Sequence, residues 1–278
     1  MSQAASPSQA DKAASFRALH ERPGAFVIPN PWDAGSARML LELGYEALAT
    51  SSGASAAVRG RKDGQLSRDE ALAHAREIIA ATDLPVAGDL ENGFGESPTH
   101  VAETIRLAAA AGLVGGSIED ASGDPAKPIY DLEHAVERVA AAVAAARALP
   151  FPFTLVARSE NFLHGRPDLD DTIRRLQAFE AAGADALFAP GLTTAEQIRT
   201  VCAAVTKPVN VVMGLRDSTL SVADLAALGV RRISLGSALS RAALGGLLRA
   251  AQEIRDHGTF TFAADAIPYA EVNRLMAR

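Results

Sequence analysis

Acidic residues follow two consecutive strand-like segments of this sequence. The apolar run Pro85–Leu90 leads into Asp89 and Glu91, and the run Gly116–Ile118 leads directly into Glu119. Two carboxylates spaced two residues apart on a strand are expected to point to the same side. Carboxylates crowded at neighbouring strand ends repel each other unless a cation lies among them. Oxygen ligands of this kind suit Mg²⁺, with Mn²⁺ as an alternative, so we predict Asp89, Glu91 and Glu119 as metal ligands.

Each of these acids has a simpler alternative role when it is considered alone. A single carboxylate at a strand end often caps the following helix or pairs with a basic side chain. The combination of several acids on adjacent strands favours the metal, because buried like charges need compensation.

A basic residue ends the next strand-like run. Arg158 follows Phe153–Ala157, and a guanidinium can bind a substrate carboxylate through two parallel hydrogen bonds. Its alternative role is a structural ion pair with Glu91, Glu119 or Glu160. Both roles can hold at once.

A small polar segment follows the second strand-like run, Ala47–Ser51. Backbone N–H groups and hydroxyls at Ser52, Gly53 and Ser55 could hold a carboxylate or an enolate oxygen. A Ser/Gly turn alone is weak evidence for such a site. The predicted substrate-binding residues are Ser52, Gly53, Ser55, Asp89 and Arg158.

The elements that must position these residues alternate regularly between strand and helix patterns. Such alternation implies a parallel sheet covered by helices, and eight units of roughly 30 residues imply a single-domain (β/α)₈ TIM barrel, an α/β fold. An open doubly wound sheet is the competing architecture, but no Gly-x-Gly-x-x-Gly follows the first strand. The predicted strands are Ala25–Ile28, Ala47–Ser51, Pro85–Leu90, Gly116–Ile118, Phe153–Ala157, Ala186–Ala189, Val209–Met213 and Arg232–Leu235.

Helix signals support these boundaries and divide the chain. Ser or Asp residues stand at helix starts, and glycines follow helix ends. We predict a disordered tail over residues 1–10, the barrel over residues 11–256, and a helical extension over residues 257–278. The extension is expected to pack on the barrel or on a neighbouring subunit.

Composition excludes several classes of partner. The chain has 278 residues and a net charge of −6, from 27 basic and 33 acidic residues, which argues against nucleic acid and anionic membranes as partners. The N-terminus does not resemble a signal peptide, and no apolar stretch is long enough to span a bilayer. A single cysteine excludes an intrachain disulfide. These features predict a cytoplasmic protein.

Other reactive or charged residues are assigned no chemistry. Cys202 lies in a helical segment and is predicted to be core rather than nucleophile. The histidines lie mostly in helices without a metal-ligand pair, and we treat them as surface residues. Arg231 and Arg232 are expected at the bottom of the barrel, solvated or at an interface.

In sequence order, six motifs resemble the isocitrate lyase/phosphoenolpyruvate mutase superfamily, in the subgroup without the lyase cysteine motif. The resemblance extends from Phe26 to about Glu253. The motifs are Asn30-Pro31-Trp32-Asp33-Ala34-Gly35-Ser36-Ala37-Arg38, Ser52-Gly53, Asp63-Gly64-Gln65-Leu66-Ser67, Asp89-x-Glu91-x-Gly93-Phe94-Gly95, Ile118-Glu119-Asp120 and Val156-Ala157-Arg158.

This resemblance implies Mg²⁺-dependent cleavage or formation of a C–C or P–C bond next to a 2-oxo acid, through an enolate-like species. It also implies a homo-oligomer, commonly a tetramer that exchanges the last barrel helix, with a dimer as the alternative. By position it implies Asp89 as the direct metal ligand, and Glu91 and Glu119 as ligands that bind the metal through water. It also implies that Asp63 lines the site. Ser52 and Gly53 correspond to the turn that binds the oxo acid, and Arg158 corresponds to the carboxylate-binding arginine.

Two departures from the family pattern narrow the expected reaction. The family usually has Asp-x-Asp where this chain has Asp89-Leu90-Glu91. Isocitrate and methylisocitrate lyases place a Lys-Lys/Arg-Cys-Gly-His motif after the fourth strand, but the loop 121–130 contains neither Cys nor His. The mutase pattern of this loop is also absent.

We therefore predict a Mg²⁺-dependent lyase that acts on a small 2-oxo or 2-hydroxy dicarboxylic acid by decarboxylation or retro-aldol cleavage. Arg158, Asp63 and Glu119 are the predicted catalytic residues. The alternatives are a P–C bond hydrolase or mutase acting on phosphonopyruvate, and an oxo-acid-binding barrel with little turnover. The proton donor stays open among Tyr45, Lys127, Tyr130, Glu160 and His164.

Overall fold

Eight short parallel strands surround the centre of the structure, a computed structural model that describes residues 6–215 and 218–277. Each strand pairs with the next from β2 to β8, and β8 pairs with β1. The N–H of Ala49 donates to the carbonyl of Pro29, 3.1 Å away, so the barrel is nearly closed. The predicted (β/α)₈ barrel is confirmed. The strands are β1 (Phe26–Ile28), β2 (Leu48–Ala49), β3 (Val86–Asp89), β4 (Gly115–Glu119), β5 (Thr154–Arg158), β6 (Ala186–Phe188), β7 (Val209–Val212) and β8 (Arg232–Ser234).

Helices pack around these strands, and their starts are capped as their sequences predict. Asp33, Ser67, Ser97 and Ser221 each accept a hydrogen bond from a backbone N–H in the first helical turn. None of the helices in residues 6–215 and 218–277 combines the length and apolar character needed to cross a membrane. The helices are α1 (Gln9–Glu21), α2 (Ala34–Glu42), α3 (Ser52–Val58), α4 (Arg68–Ala80), α5 (Pro98–Ala110), α6 (Leu132–Arg147), α7 (Leu169–Ala181), α8 (Ala195–Ala204), α9 (Val222–Ala227), α10 (Ala238–His257) and α11 (Tyr269–Met276).

Helix α1 covers the N-terminal ends of the strands. Its side chain Phe16 is fully buried, and a Cβ added at Gly115, the first residue of β4, would lie only 2.8 Å from the Phe16 ring. The helix is capped by Ser8 and begins at Gln9, so the last two residues of the tail expected over 1–10 are helical. Residues 1–5 of that tail lie outside the described residues.

The C-terminal extension folds back onto the barrel. Beyond α10, a 3₁₀ helix (Thr261–Ala264) leads to α11, which contacts α2. Arg274 pairs with Glu42 at 2.8 Å, and Arg38 donates to the carbonyl of Met276. Within the described residues the extension therefore packs on its own barrel.

Candidate active site

The carboxyl ends of three adjacent strands bring two acids and one arginine together. Arg158 Nη1 lies 3.6 Å from Asp89 Oδ1 and 3.3 Å from Glu119 Oε2, while its Nε donates to Glu160. Burial works against the charged guanidinium, but Glu160 and Glu119 outweigh it and raise the pKa of Arg158. One guanidinium is thus shared by three carboxylates, and the alternative role as an ion pair holds for Arg158.

Glu91 does not lie on the strand, and the prediction that it shares a face with Asp89 is wrong. Strand β3 ends at Asp89, and Glu91 adopts a left-handed backbone conformation with φ +48° in the turn that follows. The backbone carbonyl of Glu91 accepts a hydrogen bond from the N–H of Glu119, 3.0 Å away. This bond fixes the turn to the end of β4, and Glu91 approaches the site from the turn.

The side chain of Arg138 on α6 binds the backbone of the turn that follows β3. It is 1% exposed, and its guanidinium donates to the carbonyl oxygens of Asn92, Gly95 and Glu96. It also lies over the Tyr130 ring, 4.4 Å from the centroid. Sequence reasoning missed Arg138. The available signal was an arginine within the Ala/Val-rich segment of an amphipathic helix.

The acids at this rim carry more negative charge than the arginine neutralises. Burial, and then the nearby charges of Asp89 and Asp63, together raise the pKa of Glu91 to about 7, against the opposing charge of Arg158. Burial also raises the pKa of Glu119 well above its usual range, with Arg158 opposing. The crowding that the sequence predicts is therefore present around Asp89, Glu91 and Glu119.

A cavity of about 170 Å³ opens beside Asp89 inside the barrel mouth. Ser52 and Gly53 begin helix α3 instead of forming an isolated turn, and the Ser52 N–H donates to Asp89 Oδ2 at 3.0 Å. A Cβ at Gly53 would lie 3.0 Å from Asp63 Oδ2, so Asp63 approaches the helix start closely. Among the predicted site residues, this cavity is lined by Ser52, Gly53, Asp63, Asp89 and Arg158.

Glu91 and Glu119 line a second, wider cleft of about 540 Å³. His164 lines this cleft as well, and its Nε2 lies 3.8 Å from Glu160 Oε2. The predicted acids are thus divided between two adjacent openings, with Arg158 in contact with acids of both.

Ser55 does not line the cavity, contrary to its predicted substrate-binding role. Helix α3 directs it inward, where its hydroxyl lies 2.8 Å from Nδ1 of buried His74. His74 Nε2 in turn lies 2.8 Å from the carbonyl of Trp32. This Ser–His pair joins α3 to α4. His74 and His20 are buried, so they are not the surface residues that the sequence suggested.

Asp120 of the family motif and Lys127, a candidate proton donor, both pair with charged neighbours. Asp120 is buried, accepts from the Glu160 N–H at 2.8 Å and pairs with Arg175 at 3.2 Å. Lys127, in the loop 121–130, pairs with Asp131 at 2.6 Å on the exposed side of that loop.

The five candidate proton donors separate by position. Lys127 is engaged with Asp131, and Tyr130 is buried beneath Arg138. Tyr45 packs against the core. Glu160 and His164 adjoin the charged cluster, so they are the candidates that lie near the site.

The acids at the rim have donor chemistry that fits a hard divalent cation. No three His, Cys, Asp or Glu side chains within residues 6–215 and 218–277 converge closely enough to enclose an ion by themselves. Mg²⁺ needs no such enclosure, because it binds through one or two carboxylates and keeps several waters. Asp89 could hold the ion directly, and Glu91 and Glu119 could hold it through water.

Two remaining expectations have opposite outcomes. Burial raises the pKa of the Cys202 thiol to about 11, which agrees with a core residue.

Arg232 was expected to be solvated or interfacial, which is wrong. It is the first residue of β8, its side chain points into the barrel, and it lines the cavity beside Asp89.

Comparison with known proteins shows that the chain is similar to enzymes. The family model for phosphoenolpyruvate phosphomutase matches residues 16–255. A solved structure from Burkholderia cenocepacia J2315, provisionally described as a lyase/mutase, is 61% identical with a TM-score of 0.95 and 97% of each chain covered. Oxaloacetate decarboxylase of Bradyrhizobium diazoefficiens is 33% identical over 79% of this chain and 76% of its own. The structure of 2,3-dimethylmalate lyase is 27% identical, with a TM-score of 0.84 over 95% of this chain and 94% of that one.

Proposed function

Because the chain belongs to the phosphoenolpyruvate phosphomutase family, within the isocitrate lyase/PEP mutase superfamily, we propose that it is a divalent-metal-dependent lyase of small 2-oxo or 2-hydroxy dicarboxylic acids. Members of this superfamily are carbon–carbon lyases and mutases, and the chain is an enzyme of this type. The observation that carries the finer proposal is the cluster of Asp89, Glu119 and Arg158 beside a small cavity.

The proposed reaction is decarboxylation or retro-aldol cleavage. In decarboxylation of a 2-oxo dicarboxylate, the bond to the departing carboxylate breaks and its electron pair forms an enolate. A proton then adds to the carbon that lost carbon dioxide. Mg²⁺ supplies electrostatic stabilisation of the developing negative charge when it is bound.

The chain's own residues orient the substrate and the acids. Arg158 is clamped by Glu119 and Glu160 and lies 5.1 Å from the Phe188 ring centroid, so its guanidinium has a fixed orientation towards a carboxylate. The Ser52 N–H fixes the carboxylate of Asp89. Glu160 and His164 are the proposed sources of the proton, because they adjoin the cluster.

The test is turnover of oxaloacetate by the full chain with Mg²⁺. We expect activity that is lost on chelation and falls at least about 100-fold in Asp89→Ala, because electrostatic stabilisation of this kind contributes several kcal/mol. Asp256→Ala is the matched control, since that acid is exposed and pairs only with its neighbour Arg255 in the described residues. The absence of turnover on every C4–C7 oxo or hydroxy acid would overturn the proposal.

A second candidate function is hydrolysis or rearrangement of the P–C bond of phosphonopyruvate. The match to the phosphoenolpyruvate phosphomutase model favours it. Release of inorganic phosphate from phosphonopyruvate, without turnover of oxaloacetate, would identify this function instead.

A further inference from the structure

Arg232 is a buried cation without a counter-charge among the residues that the structure describes. It is 6% exposed, and its Nε and Nη1 atoms have no hydrogen-bond partner. No carboxylate in residues 6–215 and 218–277 forms an ion pair with it. Burial lowers the pKa of Arg232 to about 10, so the guanidinium stays charged at neutral pH. Such a charge is costly to bury unless something compensates it.

The neighbours of Arg232 do not supply that compensation. The Phe16 ring lies beneath the guanidinium, with its centroid 5.8 Å from Cζ. Burial and the nearby charge of Arg232 hold the pKa of His20 down to about 3, so His20 is neutral at this position. Asn210, the register partner of Arg232 on β7, donates to Ser234 but leaves its own Oδ1 without a partner.

The unpaired charge lies in the same cavity as the proposed reaction centre. Arg232 and Arg158 both line the cavity of about 170 Å³. In the sheet, Arg158 on β5 is paired with Phe188 on β6, Phe188 with Asn210 on β7, and Asn210 with Arg232 on β8. Arg232 therefore lies three strands away from Arg158 along one row of paired residues. With strands about 4.8 Å apart and tilted by about 36°, this places the Arg232 Cα about 8 Å deeper than the Arg158 Cα. The Arg232 side chain and a short dicarboxylate can span that separation together.

The two arginines differ in charge balance. Arg158 is shared by Asp89, Glu119 and Glu160, so its positive charge is already more than compensated. Arg232 has no such partner in the described part of the chain. A second anionic group that reaches the floor of the cavity, while the first is held at the Arg158 end, therefore gains the attraction of an uncompensated charge.

We propose that Arg232, at the floor of the cavity, binds the second acidic group of a dianionic substrate, so that it selects dicarboxylic over monocarboxylic acids. This inference rests on the proposed function for its substrate class, and it adds a specificity-determining residue to that site.

The test measures binding of succinate and butyrate, which have four carbons each and differ by one carboxylate, to the full chain with Mg²⁺ by calorimetry. We expect the wild type to bind succinate at least about tenfold more tightly, since losing one partner of a buried charge pair has a large effect on affinity. Arg232→Met should reduce this preference to less than about twofold and leave the Kd for butyrate within about twofold.

Two further measurements control for folding. Without ligand, Arg232→Met is expected to melt at the same or a higher temperature than the wild type, because it removes an unpaired buried charge. Asn210→Asp keeps the arginine and the packing but supplies a carboxylate on the adjacent strand. It should also remove the preference for succinate.

Several outcomes would overturn the proposal. One is a preference for succinate that survives in Arg232→Met, and another is a wild type that binds succinate and butyrate equally well. A third is a cavity that binds chloride instead of succinate. Turnover of oxaloacetate by the wild type together with an unchanged preference in Arg232→Met would refute only the role of Arg232. Loss of the preference in Arg232→Met, with no turnover by the wild type, would refute only the lyase.

Discussion

At the scale of single residues, the short distance between the start of helix α3 and the Asp63 carboxylate constrains the site. Gly53 and Asp63 come from different segments, yet a Cβ at Gly53 would lie 3.0 Å from Asp63 Oδ2. A contact that short forces the neighbouring atom to move. Asp63 lines the cavity, so a methyl group at position 53 would displace a proposed catalytic acid and narrow the opening.

We expect Gly53→Ala to lower kcat/KM for the substrate at least about tenfold, because small displacements of catalytic groups have large effects on rate. Its stability should be unchanged or slightly higher, since alanine favours a helix over glycine by about 0.5–1 kcal/mol. Steady-state kinetics and thermal melting measure the two effects.

The control is Gly35→Ala in α2, where a Cβ would meet Asp33 Oδ1 at an ordinary 3.5 Å. That variant should keep full activity. An equally active Gly53→Ala enzyme would show that the start of α3 does not contact the reacting molecule.

At the scale of elements, helix α1 contributes a pH-sensitive contact at the lower end of the barrel. His20 is buried against Phe16 and Phe26, with its Nδ1 2.8 Å from the carbonyl of Phe16. Burial and then the charge of Arg232 lower the pKa of His20 to about 3, against about 6.5 in the unfolded chain. Below pH 6.5 the unfolded chain therefore binds a proton that the folded protein does not accept.

This difference predicts that His20 destabilises the fold as the pH decreases from about 6.5 towards 3. Replacing it in His20→Phe should remove that contribution. Between pH 7 and pH 4, the free energy of unfolding of the variant should gain on the order of 3 kcal/mol relative to the wild type. Urea denaturation at pH 8, 6, 5 and 4 measures the difference. Values at pH 8 serve as the control for altered packing, and parallel profiles would contradict the prediction.

Element boundaries could be predicted from sequence because their signals are local. The glycines after helices, Gly44, Gly112, Gly183 and Gly229, all adopt the left-handed conformation that ends a helix. Helix α1 was not predicted, because its apolar periodicity is weak. Local signals identify an element only where the pattern is strong.

The site residues likewise divide into those that local sequence signals identify and those that they do not. Asp89, Glu119 and Arg158 were identifiable because each ends a recognisable strand. The burial of Arg232 was not identifiable, since β8 has three residues and an arginine at its start is typical of a solvated edge. Closure of the barrel decides that its side chain points inward, and closure is a property of all eight strands together.

At the scale of the whole molecule, helix α10 leaves an apolar surface exposed. Leu244, Leu247 and Leu248 have the i, i+3, i+4 spacing of one helix face and are 44%, 63% and 59% exposed. Only Ser240 is buried on this helix of 20 residues. A contiguous apolar face of this kind marks an interface, and most soluble oligomers are symmetric assemblies of identical chains. We propose that a second copy of the chain covers it.

The wild type is therefore expected to have the mass of a dimer or tetramer of the 28.9 kDa chain in size-exclusion chromatography with light scattering. The double substitution Leu247→Glu and Leu248→Glu should reduce this mass, because two charges would be buried without partners in the interface. Leu43→Glu is the matched control, since Leu43 is 73% exposed at the end of a different helix. That variant should keep the wild-type mass. A wild type that elutes at 28.9 kDa would show that the leucines of α10 remain in water, and the helix would then need another explanation for its composition.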